Sequence, residues 1–520
     1  MNLRSELGTR MELPAEMVRA SRKIHRAILA AAASVLLFGA SRPAVAATMP
    51  AACSASESSG EYCVGASRRE ITPASPVYLG GYGFGPVRRS TGVRSPIYAR
   101  AIAISRGERT VVFCAIDTQG HFLAYQGNDA PYGAADIRRR VSKDAAIPER
   151  NIIVASTHDH SGPDDIGVWG GVPPEYLKFV ADQTVAAIES ALRDERPASL
   201  YSGQINTAPS HLLRSILPGY PLDTKLRVLF AKGSDGAPFA TLINFSAHVT
   251  TLGKDNTLIS PDWPTTAVEA VEKGHPDSTA LVMVASVGRT QPDLKAIGAR
   301  GPSAVESFGA TVAKLAFVAE ALAVKIDGPI ATAETILEEP ADNPVLTSLM
   351  TNGRAGVDRV MRSNREPFMA ADKSKIRTVV GSVRIGTLFF AAVPGESFPE
   401  TQIAMEARVT AQGHYLFSLA EDQLGYDPPP YEVGMVDFES PLDEGLFIVN
   451  PNFGTDVTRT LLAQARELGF PVSDTRYTGD EGREARGLAD SIEGTVGSVE
   501  ETIVRPLMLL TLWLGYDRFH

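Results

Sequence analysis

Cysteine is scarce in this chain, with three among 520 residues: Cys53, Cys63 and Cys114. That number excludes a cysteine-rich metal site and a dense disulfide scaffold. Histidine is also scarce, with nine, so histidines that stand close together carry information. Basic charge is in deficit: 50 Lys and Arg face 60 Asp and Glu, a formal net charge of −10, and no extended basic cluster offsets it. That balance argues against a nucleic-acid footprint. No internal repeat and no long low-complexity block is visible. What remains, 44% apolar and 21% charged residues, is ordinary globular composition with enough length for a large core.

The ends of the chain read differently from its body. Arg19, Arg22, Lys23 and Arg26 precede an apolar run from Ala27 to Gly39, and Ala44-Val45-Ala46 follows. This is the pattern of a cleaved export signal over residues 1–46, and the run is short for a membrane span. An uncleaved anchor is the alternative. Residues 47–63 then form a short linker bracketed by Cys53 and Cys63, which an oxidising compartment would join. Cys114, inside the apolar run Thr110–Ile116, reads as a small buried hydrophobe. The expected location is therefore outside the cytoplasm: secreted, periplasmic or in the cell envelope. At the other end, 473–520 joins a polar linker to a short apolar segment starting at Ile503. That segment reads as a docked helix, with contact to a membrane surface or lipid as the second reading.

Between these ends, residues 64–472 alternate short β-branched runs with amphipathic stretches. Strands are expected over Ile102–Ser105, Val111–Asp117, Ile152–Ser156, Arg227–Phe230, Thr241–Ser246, Leu281–Ala285 and Thr387–Val393. Helices are expected over Ala134–Lys143, Tyr176–Arg193, Ala310–Val324 and Asp456–Leu468. The fold class is α/β, with mixed sheets, flanking helices and an active site at strand ends.

Three of the apolar strands end in side chains that bind metals. Ile152–Ser156 runs into Thr157-His158-Asp159-His160-Ser161-Gly162-Pro163, where two histidines two apart on an extended strand would face one side. Thr241–Ser246 runs into His248, and Leu388–Val393 into Pro394-Gly395-Glu396. Taken alone, Glu396 is an ordinary loop carboxylate and the histidine pair could be structural. Three strands that each end in a potential ligand say more together than separately, since metal sites in hydrolases need imidazoles and carboxylates with one position open. Spacing does not decide between His158 and His160 as the ligand.

These motifs, in this order, resemble the neutral, non-lysosomal ceramidase family. Thr157–Pro163 is similar to its T-H-T-H-S-G-P signature, Asn244–His248 to its second histidine motif, and Val393–Glu396 to its V-P-G-E. Gly65–Pro73 with Gly80-Gly81-Tyr82 resembles the family's start, and Asp422–Tyr426 falls at its tyrosine motif. The resemblance implies a catalytic domain that binds Zn2+ through His158, His248, Glu396 and Tyr426, with Tyr431 competing for the fourth place. It implies His160 beside the metal, handling protons or orienting the substrate, and Arg214 as a substrate contact. The implied substrate is a lipid-like N-acyl amide, ceramide being hydrolysed to sphingosine and fatty acid. Oligomeric state is left open.

One run departs from the family. Where it carries a serine in N-x-G-D/N-x-S-P-N, this chain has Ser286-Val287-Gly288-Arg289-Thr290-Gln291-Pro292-Asp293. Gln291 is no nucleophile, but its amide can donate to an oxyanion. Arg289 suggests an acidic or phosphate-bearing group near the site, and is read as a second substrate contact. A zinc hydrolase of another amide or ester, or a non-catalytic lipid-binding relative, are the alternatives.

Overall fold

A computed structural model describes residues 53, 61–83, 86–125, 132–217, 219–341, 375–430 and 448–474. The expected export signal, Tyr431 and the apolar tail from Ile503 lie outside the described residues, as does the linker apart from Cys53 and residues 61–63. Cys53 and Cys63 form a disulfide with a Cα–Cα distance of 5.8 Å, and Cys114 is a buried free thiol.

A mixed sheet of nine strands organises the molecule. In chain order its strands are β1 (Tyr62–Glu70), β2 (Tyr98–Arg106), β3 (Arg109–Ile116), β4 (Ile152–Ser156), β5 (Arg196–Asn206), β6 (Lys225–Lys232), β7 (Pro238–Phe245), β8 (Thr279–Val284) and β9 (Val324–Ile326). The spatial order is β8-β7-β6-β5-β1-β2-β3-β4, with β9 also paired to β5. Most neighbours are antiparallel, but β3/β4 and β7/β8 are parallel pairs. A second sheet has the order β10 (Ile330–Pro340), β11 (Lys375–Ile385), β12 (Leu388–Ala392) and β13 (Gly413–Phe417), with β12/β13 parallel.

The two sheets pack face to face. Phe113, Ile153, Leu242 and Met283 of the large sheet share a core with Val383, Phe390, Tyr415 and Phe417 of the small one. Burial follows the period of two: Ile102 and Ile104 face this core, and Ala101 and Ala103 face the opposite layer. Helices cover the outer faces. Helix α1 is Ala134–Ala145, α2 Pro174–Arg193, α3 Trp263–Gly274, α4 Pro302–Ala321, α5 Pro399–Arg408 and α6 Phe453–Glu467. Contacts of α2 with β1 and β2, of α3 with β8 and of α4 with β5 and β6 cover the large sheet, while α6 packs on β10 and β11. The result is a four-layer α/β/β/α arrangement, in agreement with the expected class.

All seven expected strands and all four expected helices are present, the helices with shifted bounds. The helix expected over Ala310–Val324 begins at Pro302, because proline suits the first turn, where no amide donor is needed. It stops at Ala321, since Val324 starts an edge strand beside β5. Phe453 rather than Asp456 opens the last helix. Among the described residues no helix is long and apolar enough to cross a membrane.

Candidate metal centre and active site

The strands β4, β7 and β12 each belong to a parallel pair, and each sends its carboxyl end to one place. The segment from Phe417 to Glu421 ties these ends together. Val393 N donates to Phe417 O, Ser418 N to Val284 O, Ser156 N to Leu419 O and Leu419 N to Gly395 O. His160 N donates to Val249 O, and an isolated parallel bridge links Asp159 with Val249, so the two histidine-bearing loops are stitched directly.

His158, His160 and His248 lie there, all buried, with ring nitrogens mutually within 4.8 Å; among the described residues they form the one group of three or more such donors at that spacing. The reason they converge differs from the expectation. The strand ends at Ser156, and His158 has φ +62, so the chain is not extended between the two histidines. A left-handed turn at a non-glycine residue, held by the flanking hydrogen bonds, aims the rings instead.

The hydrogen bonds set the tautomers. His158 Nδ1 lies 2.9 Å from Gln119 O, and His248 Nδ1 lies 2.9 Å from Val287 O. A carbonyl oxygen only accepts, so each ring keeps its hydrogen on Nδ1 and presents a lone pair at Nε2. These two Nε2 atoms are 2.9 Å apart. Glu396 Oε2 stands 3.1 Å from His158 Nε2 and 3.5 Å from His248 Nε2. Glu396 and Tyr426 are partners in a two-residue parallel ladder, and the tyrosine hydroxyl donates to the carboxylate. Burial pushes the Glu396 carboxyl up, but His158, His248 and Tyr426 together hold it below the usual range. Burial lowers His248 to about 4, with His158 adding to the effect.

His160 differs from the other two. Its Nε2 is 3.1 Å from His158 Nε2, but its buried Nδ1 has only the backbone of Gly81 near it and no well-formed hydrogen bond. Burial first, then His158 and His248, hold this ring well below the ordinary histidine range.

Gln291 and Arg214 face each other across a short antiparallel ribbon, Leu213–Ser215 against Thr290–Pro292. This ribbon adjoins the site, since His248 N donates to Thr290 O. Thr250 Oγ1 donates to Gln291 Oε1 at 2.8 Å. Arg289 corrects an expectation. Its fully buried guanidinium is 2.8 Å from Glu400 Oε1, donates to Pro221 O, and lies over the rings of Tyr220 and Phe398. The acidic group it meets is internal, so no substrate group is needed to explain it.

Sequence reasoning gave no role to Tyr82, Arg88 or Asp262. The Tyr82 ring sits edge-on to His160, with centroids 4.9 Å apart, and the Arg88 guanidinium lies over the Tyr82 ring, 4.7 Å from its centroid. Asp262, with φ +59, caps α3 and accepts from Thr251 and Leu252, which shapes the loop after His248. Only Gly80-Gly81-Tyr82, as part of the family's start, pointed to this wall.

Comparison with known proteins gives the same placement. Residues 62–293 match the family described as neutral/alkaline non-lysosomal ceramidase, N-terminal. A neutral ceramidase of Pseudomonas aeruginosa is 25% identical over 225 residues, covering 39% of this chain and 32% of that protein. Neutral ceramidase B of Dictyostelium discoideum is 26% identical over 235 residues, covering 40% of this chain and 31% of that protein. The matched part is thus about a third of these relatives' length. The crystal structure of the Pseudomonas aeruginosa neutral ceramidase superposes with a TM-score of 0.64 over 78% of this chain and 74% of that one, at 18% identity, and shares the fold. Residues 62–293 are thus similar to the N-terminal part of the neutral/alkaline non-lysosomal ceramidases.

Proposed function

We propose that the chain is a zinc-dependent hydrolase of N-acyl amide bonds in lipids, with ceramide, split into sphingosine and fatty acid, as the substrate this likeness suggests. One observation carries the metal: two buried imidazole lone pairs meet at 2.9 Å beside a carboxylate. Lone pairs that close repel unless a cation lies with them, and burial of His248 opposes supplying it as a proton. A nitrogen and oxygen donor set of this kind suits zinc. His158, His248 and Glu396 would hold it, with Tyr426 as the fourth donor. When bound, zinc supplies Lewis acidity and brings the pKa of water towards ~7.

The remaining steps fall to the chain's own groups. Metal-binding histidines normally donate their second nitrogen to a carbonyl or carboxylate. His158 and His248 do so at 2.9 Å, whereas His160 Nδ1 has no well-formed partner, which supports His160 as the group that takes and returns a proton at Nε2. The carbonyl end of Gln291 is occupied by Thr250, which leaves its NH2 as the side that donates to a developing oxyanion. Arg214, opposite Gln291, suits a polar part of the substrate. The Cys53–Cys63 disulfide supports export to an oxidising compartment.

Gln291 in place of the family's serine favours a second reading, a zinc hydrolase of a different amide or ester. Fatty-acid release by the zinc-replete protein from ceramides, N-acyl amino acids and carboxylic esters separates the two. Turnover of ceramide supports the first, turnover confined to the others supports the second, and no turnover at all contradicts both.

A further inference from the structure

His158 and His248 are oriented through Nδ1, whereas packing holds the His160 ring. Gly81 is so close that a Cβ added there would lie 2.3 Å from the ring, and the Tyr82 ring packs edge-on to it at 71°. We propose that Arg88 is the positioning residue for His160, locking this wall to the loop that carries the ring. The inference rests on the hydrolase reading above.

Arg88 is 6% exposed and satisfies several partners at once. Nη2 donates to Gly80 O and, at 2.8 Å, to His160 O. Nη1 donates to Asn256 O at 3.2 Å, and the guanidinium face lies over Tyr82. One planar group therefore joins the segment 80–82, the main chain of His160 and the loop after His248. Asn256 extends the link by donating to Ser161 Oγ at 3.0 Å. A planar fork with five donors can serve three carbonyls and a ring face together, whereas the single ammonium of lysine cannot. Arg88 meets carbonyls and a ring face, with the buried Asp159 carboxyl close enough to interact with its charge. These are the groups that hold the His160 loop and wall, so the effect of Arg88 on the reaction passes through His160.

A double-mutant cycle in the full-length, zinc-replete protein tests this. Arg88→Ala is expected to lower kcat by about 10–100-fold, the usual cost of losing an outer supporting contact, with KM and zinc content nearly unchanged. In a His160→Ala background the same change should cost nothing further. Equal losses in both backgrounds overturn the proposal. Arg88→Lys keeps the charge and is expected to melt near the wild type while retaining the kcat defect; wild-type kcat in this variant also overturns it. A crystal structure of either variant gives a readout independent of turnover: His160 should shift while His158 and His248 stay in place. An unmoved His160 contradicts the proposal, whereas failure of the wild type to hydrolyse any N-acyl substrate or ester contradicts the hydrolase reading alone.

Discussion

His158 and His248 present Nε2 to one another at 2.9 Å, each having committed its Nδ1 hydrogen to a main-chain carbonyl. His160 lies 3.1 Å from His158 without that commitment. Loss of either locked ring should therefore empty the site, and loss of His160 should not. We expect His248→Ala to bind almost no zinc by atomic emission. His160→Ala should keep its zinc while kcat falls by about 10²–10⁴-fold, the range of proton-transfer catalysis. Zinc loss in His160→Ala would reverse the two roles.

Gln291 is expected to act on the developing charge rather than on binding. Gln291→Ala should lower kcat by about 100-fold or more, as for other single oxyanion donors, with KM little changed. An unchanged kcat would leave Gln291 as a purely structural partner of Thr250.

Arg289 and Glu400 form a buried pair, 0% and 6% exposed at the side chain. Removing one partner leaves the other charged and enclosed, so Glu400→Ala should cost about 3–5 kcal/mol in urea unfolding. Replacing both by apolar residues should recover much of that loss. A double variant as unstable as the single one would show that the charges themselves are needed.

Burial raises Glu195 to about 7, against 4.5 for the free side chain, although Ser105 donates to it at 2.5 Å. Between those values the folded chain holds a proton that the unfolded chain has released. Its contribution to stability is therefore full below 4.5, falls as pH rises to about 7, and is level above. Glu195→Gln cannot ionise and should escape this loss. The melting temperature of the variant relative to wild type should rise from pH 5 to pH 8; an equal difference at both would contradict the shift.

The sequence showed most clearly the parts where one strand does one thing. Ile152–Ser156, Thr241–Ser246 and Leu388–Val393 are short apolar runs because both faces of those strands are buried, and His158, His248 and Glu396 lie within a few residues of the strand ends. Helix α3 escaped notice because Ser260-Pro261-Asp262-Trp263-Pro264 reads as a loop; Asp262 turns that loop into a cap only by adopting φ +59 and binding Trp263 N. Strand β1 runs from buried Tyr62–Gly65 to exposed Arg68-Arg69-Glu70, so no alternation shows along it. The role of Arg88 could not be read at all, since its partners lie 72 and 168 residues away in sequence. Arg289 looked like a substrate contact for the same reason, because its partner Glu400 is 111 residues distant.

Anomalous diffraction at the zinc edge tests the central claim most directly. The account predicts one strong peak about 2.0–2.2 Å from His158 Nε2, His248 Nε2 and a Glu396 carboxylate oxygen, with His160 outside bonding distance. A peak bound by all three histidines and not by Glu396, or no peak in zinc-replete crystals, would contradict it.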